Sequence, residues 1–275
     1  MTQKIVTAKK AQIPALGFGT FRLLGDVCEA SVLHALDVGY RHIDTAQIYK
    51  NEEEVGRAIH KSSVSRGDIF LTTKVWFENA RAKDVRESTE ESLRKLGTDA
   101  VDLLLFHWPV DDVPLEETLG EMARLKEEGK TRFIGVSNFT KDMVEQAEKI
   151  TPITTNQVEF HPLLDQRLLL EQAQRLDHAL TAYSPLAQGT LFTNDAFKAM
   201  ASELSIACPE LALAWLLHKE KVVAIPRSSK AENISSNFRA LTHSLSAQSI
   251  ERIDALMGDG RVVDPPFAPQ WDKAL

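Results

Sequence analysis

Cysteine is scarce in this chain. Only Cys28 and Cys208 occur among 275 residues, in no spacing that suits a metal or a redox pair. That leaves no disulfide framework and no zinc module, and predicts two free thiols in a reducing compartment. No apolar run approaches the ~18 residues that a membrane-spanning helix needs. The first ten residues likewise lack the apolar stretch of a secretory signal. Excess basic charge is missing too. Lys and Arg number 32 against 39 Asp and Glu, for a net charge of −7, so the charge balance calls for neither nucleic acid nor an anionic membrane surface. There is no low-complexity segment and no linker. These absences predict a cytoplasmic protein of one domain, spanning residues 1–275, without a metal site.

What remains is ordinary globular composition, 43% hydrophobic and 26% charged, which suffices for a large core. Eight short strand-like runs are spread along it, at 15–19, 41–44, 69–74, 101–106, 132–136, 154–159, 179–183 and 222–225. Between them lie segments such as 27–38, 52–59, 82–96, 115–128 and 209–218, with apolar residues at three- and four-residue spacing. Leu115, Leu119, Met122 and Leu125 mark one such face, with Glu116, Glu117, Glu121 and Lys126 largely opposite. Gly39, Gly97 and Gly129 follow three of the helices, where a left-handed residue is useful. Eight strand–helix repeats imply parallel strands with right-handed crossovers. They close most naturally as a (β/α)8 TIM barrel, for which roughly 250 residues is the usual length. An open doubly wound sheet is the alternative. Residues 4–14 read as a short N-terminal hairpin at the closed end, 247–257 as an extra C-terminal helix, and 258–275 as a surface tail.

Four polar residues fall at the ends of these runs. Asp44 ends one, with Tyr49 five residues on, Lys74 ends another, and His107 follows a third. In a parallel barrel all such ends share one rim, where that fold does its chemistry. A phenol has an ordinary pKa near 10, too high for an efficient acid at neutral pH. A neighbouring ammonium favours the phenolate, so Lys74 is expected to lower that pKa. Asp44 would hold the ammonium, and His107 would orient a carbonyl oxygen. The set gives a proton to a carbonyl but holds no hydride donor, so a cofactor must bring one. Taken singly, Asp44 before Thr45 has a helix cap as an alternative reading, Lys74 reads more readily as a surface lysine, and His107 equally as a core histidine. Their coincidence on one rim favours chemistry.

Longer stretches around these residues resemble the aldo-keto reductases over nearly the whole chain. They are Gly17-Phe18-Gly19-Thr20-Phe21, Gly39-Tyr40-Arg41-His42-Ile43-Asp44-Thr45-Ala46, Tyr49-Lys50-Asn51-Glu52, Thr73-Lys74-Val75-Trp76, 102–109, Gly135-Val136-Ser137-Asn138-Phe139, Asn156-Gln157-Val158-Glu159, Tyr183-Ser184-Pro185-Leu186 and Ile225-Pro226-Arg227-Ser228. The resemblance implies a barrel that binds NADPH without a Rossmann domain and works as a monomer. It implies reduction of small carbonyls, with 2,5-diketo-D-gluconate and methylglyoxal as the substrates of similar short bacterial members. By position, Tyr49 resembles the general acid, Lys74 its partner, Asp44 the residue bound to that lysine, and His107 the carbonyl-orienting residue. Ser137, Asn138 and Gln157 match the group that holds the nicotinamide amide, and Tyr183 its stacking aromatic. Thr20 and Asp44 fall near the ribose, and Ser184 and Leu186 in the pyrophosphate loop. Arg227, Ser228 and Asn237 fall at the adenosine 2′-phosphate and adenine. Trp76, Phe77, Trp108 and Phe21 would wall the substrate pocket, although core packing is an ordinary alternative for these aromatics.

The chain departs from the family in places. Where a lysine is frequent it has Arg227, which binds phosphate as a fork. Asn233 and Ser236 stand where an arginine and a glutamate are frequent, with Lys230 as a nearby charge. NADPH preference is expected, though weaker than usual. The tail is short, which predicts an open pocket tolerant of many small carbonyls. Gly17-Phe18-Gly19 begins like a dinucleotide fingerprint but lacks the third glycine and lies well ahead of its helix, so a Rossmann reading is rejected. Two other functions are compatible with a barrel of this kind. One is a cofactor-binding regulatory subunit on the same barrel. The other is a Schiff-base aldolase using Lys74, disfavoured because Asp44 would keep the amine protonated.

Overall fold

The computed structural model describes residues 3–272, so residues 273–275 of the expected tail lie outside it. The chain opens with an antiparallel hairpin, β1 (Ile5–Ala8) and β2 (Ala11–Pro14). Eight parallel strands follow: β3 (Phe18–Gly19), β4 (His42–Asp44), β5 (Phe70–Val75), β6 (Val101–Phe106), β7 (Thr131–Ser137), β8 (Thr155–Glu159), β9 (Ala179–Tyr183) and β10 (Val222–Ala224). Helices α1 (Gly25–Val38), α2 (Glu52–Lys61), α3 (Ala82–Leu96), α4 (Leu115–Glu127), α5 (Lys141–Ile150) and α6 (Arg167–Leu176) each follow one strand, from β3 to β8 in turn. Helices α7 (Asp195–Leu204) and α8 (Cys208–His218) follow β9, while α9 (Ala231–Arg239) and α10 (Ala247–Asp254) follow β10.

The sheet closes on itself. Gly17 N–H donates to Ala224 O at 2.8 Å, Ala224 N–H to Ala15 O at 2.8 Å, and Gly19 N–H to Pro226 O at 3.0 Å. This closure overturns the open-sheet alternative. It also gives the Gly17-Phe18-Gly19 run its physical reason. A Cβ on Gly19 would sit 2.9 Å from Ile225 O, so the glycine lets the first and last strands touch. The β3 strand is correspondingly short, since residues 15–17 face the seam instead.

Burial explains the pattern of the strands. All of β5 and β6 is buried on both faces, as a parallel sheet sheathed in helices requires. Each of Leu103, Leu104 and Leu105 is out of water, which contributes roughly 1.5–3 kcal/mol apiece. Hydroxyls inside the barrel pair with one another, as in Thr155 with Thr181 at 2.8 Å. On the outside, α3 buries Val85, Thr89, Leu93 and Leu96 at helical spacing. It stops at Gly97, whose φ of 64° lets its N–H reach Arg94 O.

The hairpin lies at the closed end, where Lys9 N–H donates to Asp177 O just before β9. The extra helix α10 docks through Asp254, which accepts Trp215 Nε1–H at 2.8 Å. The tail does more than lie on the surface: it returns over the open rim.

Candidate active site

Asp44 ends β4, Lys74 is the fifth of six residues in β5, and His107 follows β6. Tyr49 comes back to the same place through a single 3-10 turn, Gln47–Tyr49, reversed by Lys50 at φ 54°. The four residues meet as expected. Lys74 Nζ donates to Asp44 Oδ1 at 2.5 Å, to Thr45 O at 2.8 Å and to the Tyr49 hydroxyl at 3.4 Å. The second carboxylate oxygen of Asp44 accepts Gln157 Nε2–H at 2.8 Å. His107 stands edge-on to Tyr49, ring centres 5.7 Å apart, and to Trp76 at 5.3 Å. These bonds leave no room for the helix-cap and surface readings of Asp44 and Lys74. They also remove the aldolase reading, because the amine is fully buried and spends its hydrogens on Asp44, Thr45 and Tyr49.

The electrostatics correct one expectation. The Tyr49 hydroxyl is held well above the ordinary phenol value, first by burial, then by the Asp44 and Tyr183 oxygens. Lys74 does not reverse this, because its charge is matched by Asp44 at 2.5 Å and desolvation outweighs what is left. Tyr49 therefore rests protonated. Burial lowers the Lys74 ammonium, against the pull of Asp44 and Glu52. Burial, aided by Lys74, holds His107 well below its ordinary value, so its imidazole is neutral. His107 Nδ1 is buried without a hydrogen-bond partner among the described residues. An idle lone pair there costs less than an idle N–H, which places the proton on Nε2 as a donor.

The residues expected at the nicotinamide adjoin this set. Asn138 takes a left-handed φ of 63° after β7, and its side chain donates to His107 O at 3.0 Å and to Ser137 Oγ at 3.1 Å. Ser137 donates to Gln157 O at 2.8 Å. Tyr183 donates to Asn138 Oδ1 at 2.8 Å with its ring half-buried. Thr20 is fully buried and donates to Asp44 O at 3.0 Å. Ser184 has a left-handed φ of 45°. Two non-glycine residues in that conformation, at the ends of β7 and β9 on either side of β8, fit a ligand cradle. Leu186 packs half-buried against the core. Farther along the rim, Arg227 is exposed and uses Nε to hold Phe21 O at 2.9 Å, leaving its outer nitrogens free. Ser228 Oγ accepts Lys230 N–H at 3.1 Å just before α9, and Asn237 is buried within that helix. Ser236, at the position of a frequent glutamate, donates to Glu210 Oε1 at 2.6 Å, so α8 supplies a carboxylate there.

The aromatic wall differs from expectation. Phe21 packs on Tyr49 at 5.1 Å and Trp76 on His107, both beside the acid. Trp108 is covered instead: Phe267 and Trp271 of the tail lie on it at 5.2 and 6.0 Å. Phe77 packs on Trp76 and Phe267. The short tail therefore does not leave the pocket open, because Phe267 caps Trp76, Phe77 and Trp108 together. Little in the sequence marks Phe267, or Gln47, whose Oε1 accepts Trp76 N–H at 2.8 Å. Aromatic residues in a Pro-rich tail were the one available signal.

A parallel barrel with a phenol, a buried ammonium–carboxylate pair and a neutral imidazole at its rim defines a carbonyl-reducing class of protein. Comparison places it within that class. The sequence model of the aldo/keto reductase family matches residues 15–257. Methylglyoxal reductase DkgB of Escherichia coli O157:H7 is 42% identical over 266 residues, covering 94% of this chain and 99% of that protein. A crystal structure assigned to a 2,5-diketo-D-gluconic acid reductase B superimposes with a TM-score of 0.96 at 41% identity, over 99% of this chain and 98% of the other. An aldo-keto reductase of Bombyx mori in complex with NADP does so with a TM-score of 0.87 at 28% identity, over 96% of each chain. The chain belongs to the aldo-keto reductase family. It is an oxidoreductase that uses NADP(H) to reduce a carbonyl to an alcohol.

Proposed function

We propose that the carbonyl is a small 2-oxoaldehyde or keto-sugar acid, of the kind methylglyoxal and 2,5-diketo-D-gluconate represent, and that the rim residues divide the work as follows. Tyr49 is the general acid and gives its hydroxyl proton to the substrate oxygen. Lys74, donating to the same phenol oxygen, stabilises the negative charge that appears there only as the proton leaves. Asp44 fixes Lys74 in place and shares Gln157 with the cofactor side. His107 donates from Nε2 to the substrate oxygen and holds it beside Tyr49. Bound NADPH supplies the hydride. Ser137, Asn138, Gln157 and Tyr183 hold the nicotinamide end, Thr20, Ser184 and Leu186 the middle, and Arg227, Ser228 and Asn237 the adenosine end. Phe21, Trp76 and Phe77 line the substrate side, with Trp108 beneath.

The observation that carries this reading is the bond chain Asp44–Lys74–Tyr49, at 2.5 and 3.4 Å, with the His107 ring, its Nδ1 unpartnered among the described residues, alongside. All of its members come from one chain, which supports a monomer, and the eight parallel strands of the described residues support a single barrel domain. No single helix among the described residues is long and apolar enough to cross a membrane. Cys28 and Cys208 are unpaired, which suits a cytoplasmic setting. The test is kcat/KM for methylglyoxal and for 2,5-diketo-D-gluconate with NADPH. Turnover of either supports the substrate class and ranks its members. Turnover of bulky aromatic ketones alone would overturn it.

A further inference from the structure

One buried carboxylate at the rim has no part in the acid–base set. Glu159 ends β8, in register with Tyr183 and two residues past Gln157. It is fully buried, and its partners come mostly from the tail. Val262 N–H donates to Oε1 at 2.7 Å, and Val263 N–H to Oε2 at 2.9 Å. His161 Nε2 lies 2.9 Å from Oε1, and Arg261 Nη1 3.7 Å from Oε2. Two consecutive amides on one carboxylate form a clamp that needs an acceptor at each oxygen. A glutamine would offer one oxygen and turn an N–H against the other amide.

The chain on either side is held as well. Gly260 N–H donates to Leu163 O at 3.0 Å, and a Cβ at Gly260 would meet that oxygen at 2.4 Å. Beyond the clamp, Trp271 lies under the Arg261 guanidinium at 3.9 Å, and Asp272 accepts Lys141 N–H at 2.8 Å. The segment strung between clamp and pin carries Phe267. That ring is 44% exposed yet touches Trp76, Phe77 and Trp108. It is a cover rather than a core residue, and Trp76 touches both it and His107.

We infer that Glu159 is a positioning residue for the tail: by clamping the Val262 and Val263 amides it holds Phe267 over Trp76 and so sets the affinity for the carbonyl substrate. This rests on the reductase reading above. The strand that lies between the expected nicotinamide residues thus also fixes the cover of the substrate side.

The experiment is Glu159→Gln and Phe267→Ala, singly and together, read by amide hydrogen exchange at Val262 and Val263 and by separate KM and kcat values for carbonyl and NADPH. In Glu159→Gln the two amides should exchange at least about tenfold faster, and the carbonyl KM should rise about tenfold, as loss of a bond to a charged group implies. The KM for NADPH and kcat should stay within about twofold, since cofactor and acid are untouched. Phe267→Ala should raise the carbonyl KM similarly, and the double variant should be no worse than the poorer single one. Unchanged exchange, additive KM effects, or a rise in the NADPH KM that matches the carbonyl's would each overturn the inference. Should Glu159→Gln fail to fold, Phe267→Ala decides, because its side chain is exposed, and an unchanged carbonyl KM there overturns the inference. Exchange needs no substrate, so a failed clamp and a failed reductase assignment are read apart.

Discussion

Two buried aspartates stand at opposite ends of the barrel. Asp102 lies near the start of β6, at the closed end. It accepts Arg66 Nη1–H and Leu71 N–H at 3.0 Å, and Arg132 Nη1–H at 2.9 Å. Arg66 in turn donates to Ile69 O and Ala100 O. That cluster ties strand starts together and spends its bonds on structure. Asp44 holds Lys74 just as tightly, but the chain of contacts then ends at the Tyr49 hydroxyl and at a histidine with an idle nitrogen. The same kind of ion pair is structural where its partners turn to backbone carbonyls at the strand starts, and chemical where the last member still has a proton to give.

The sharpest way to break this comparison is to neutralise each aspartate. Asp44→Asn leaves Lys74 buried and unpaired, which should cost about 3–5 kcal/mol of stability and lower kcat by at least about 10²-fold. Asp102→Asn should cost about 1–3 kcal/mol, as loss of bonds to a charged group does, with kcat unchanged. Denaturant unfolding and steady-state kinetics on both variants check the contrast. Equal effects on kcat would erase it.

Acid tests the rim's neutral histidine together with two structural ones. Burial lowers His107 well below 6.5, and His42 and His178 to about 4. The folded state thus refuses protons that the unfolded state accepts below about 6.5. The stability contributed is complete above that value and is lost as pH falls toward 4, at up to about 1.4 kcal/mol per group per pH unit. Unfolding free energy measured from pH 7 to 5 should drop accordingly. A flat profile would mean that these imidazoles are not buried as neutral groups. The smallest effect concerns the cofactor's far end. Arg227→Ala should raise the KM for NADPH about tenfold and much less that for NADH, and equal rises would remove Arg227 from the 2′-phosphate site.

Most of the fold was legible in the sequence because it is written in local periodicity. The 82–96 helix and the 101–106 and 179–183 strands fall where the apolar spacing puts them. The acid set was legible because each member sits at a strand end. What escaped depends on long-range partners. Glu159 meets residues more than 100 positions away, and Trp108 was expected to line the pocket because nothing local marks Phe267 as its cover. The direction of the Tyr49 shift is not legible in the sequence, because spacing gives proximity to Lys74 but not the depth of burial. The five-residue spacing of Asp44 and Tyr49 does not specify the 3-10 turn at Gln47–Tyr49 that brings them together.

The most direct test of the central claim, that the Tyr49 hydroxyl is the open end of the Asp44–Lys74 pair and the proton source, is turnover of Tyr49→Phe at saturating NADPH, with cofactor affinity measured alongside. A fall in kcat of at least about 10²-fold, with NADPH affinity within about twofold, is the predicted result. Turnover that survives within about tenfold of the wild type, with the phenol oxygen gone, would contradict it.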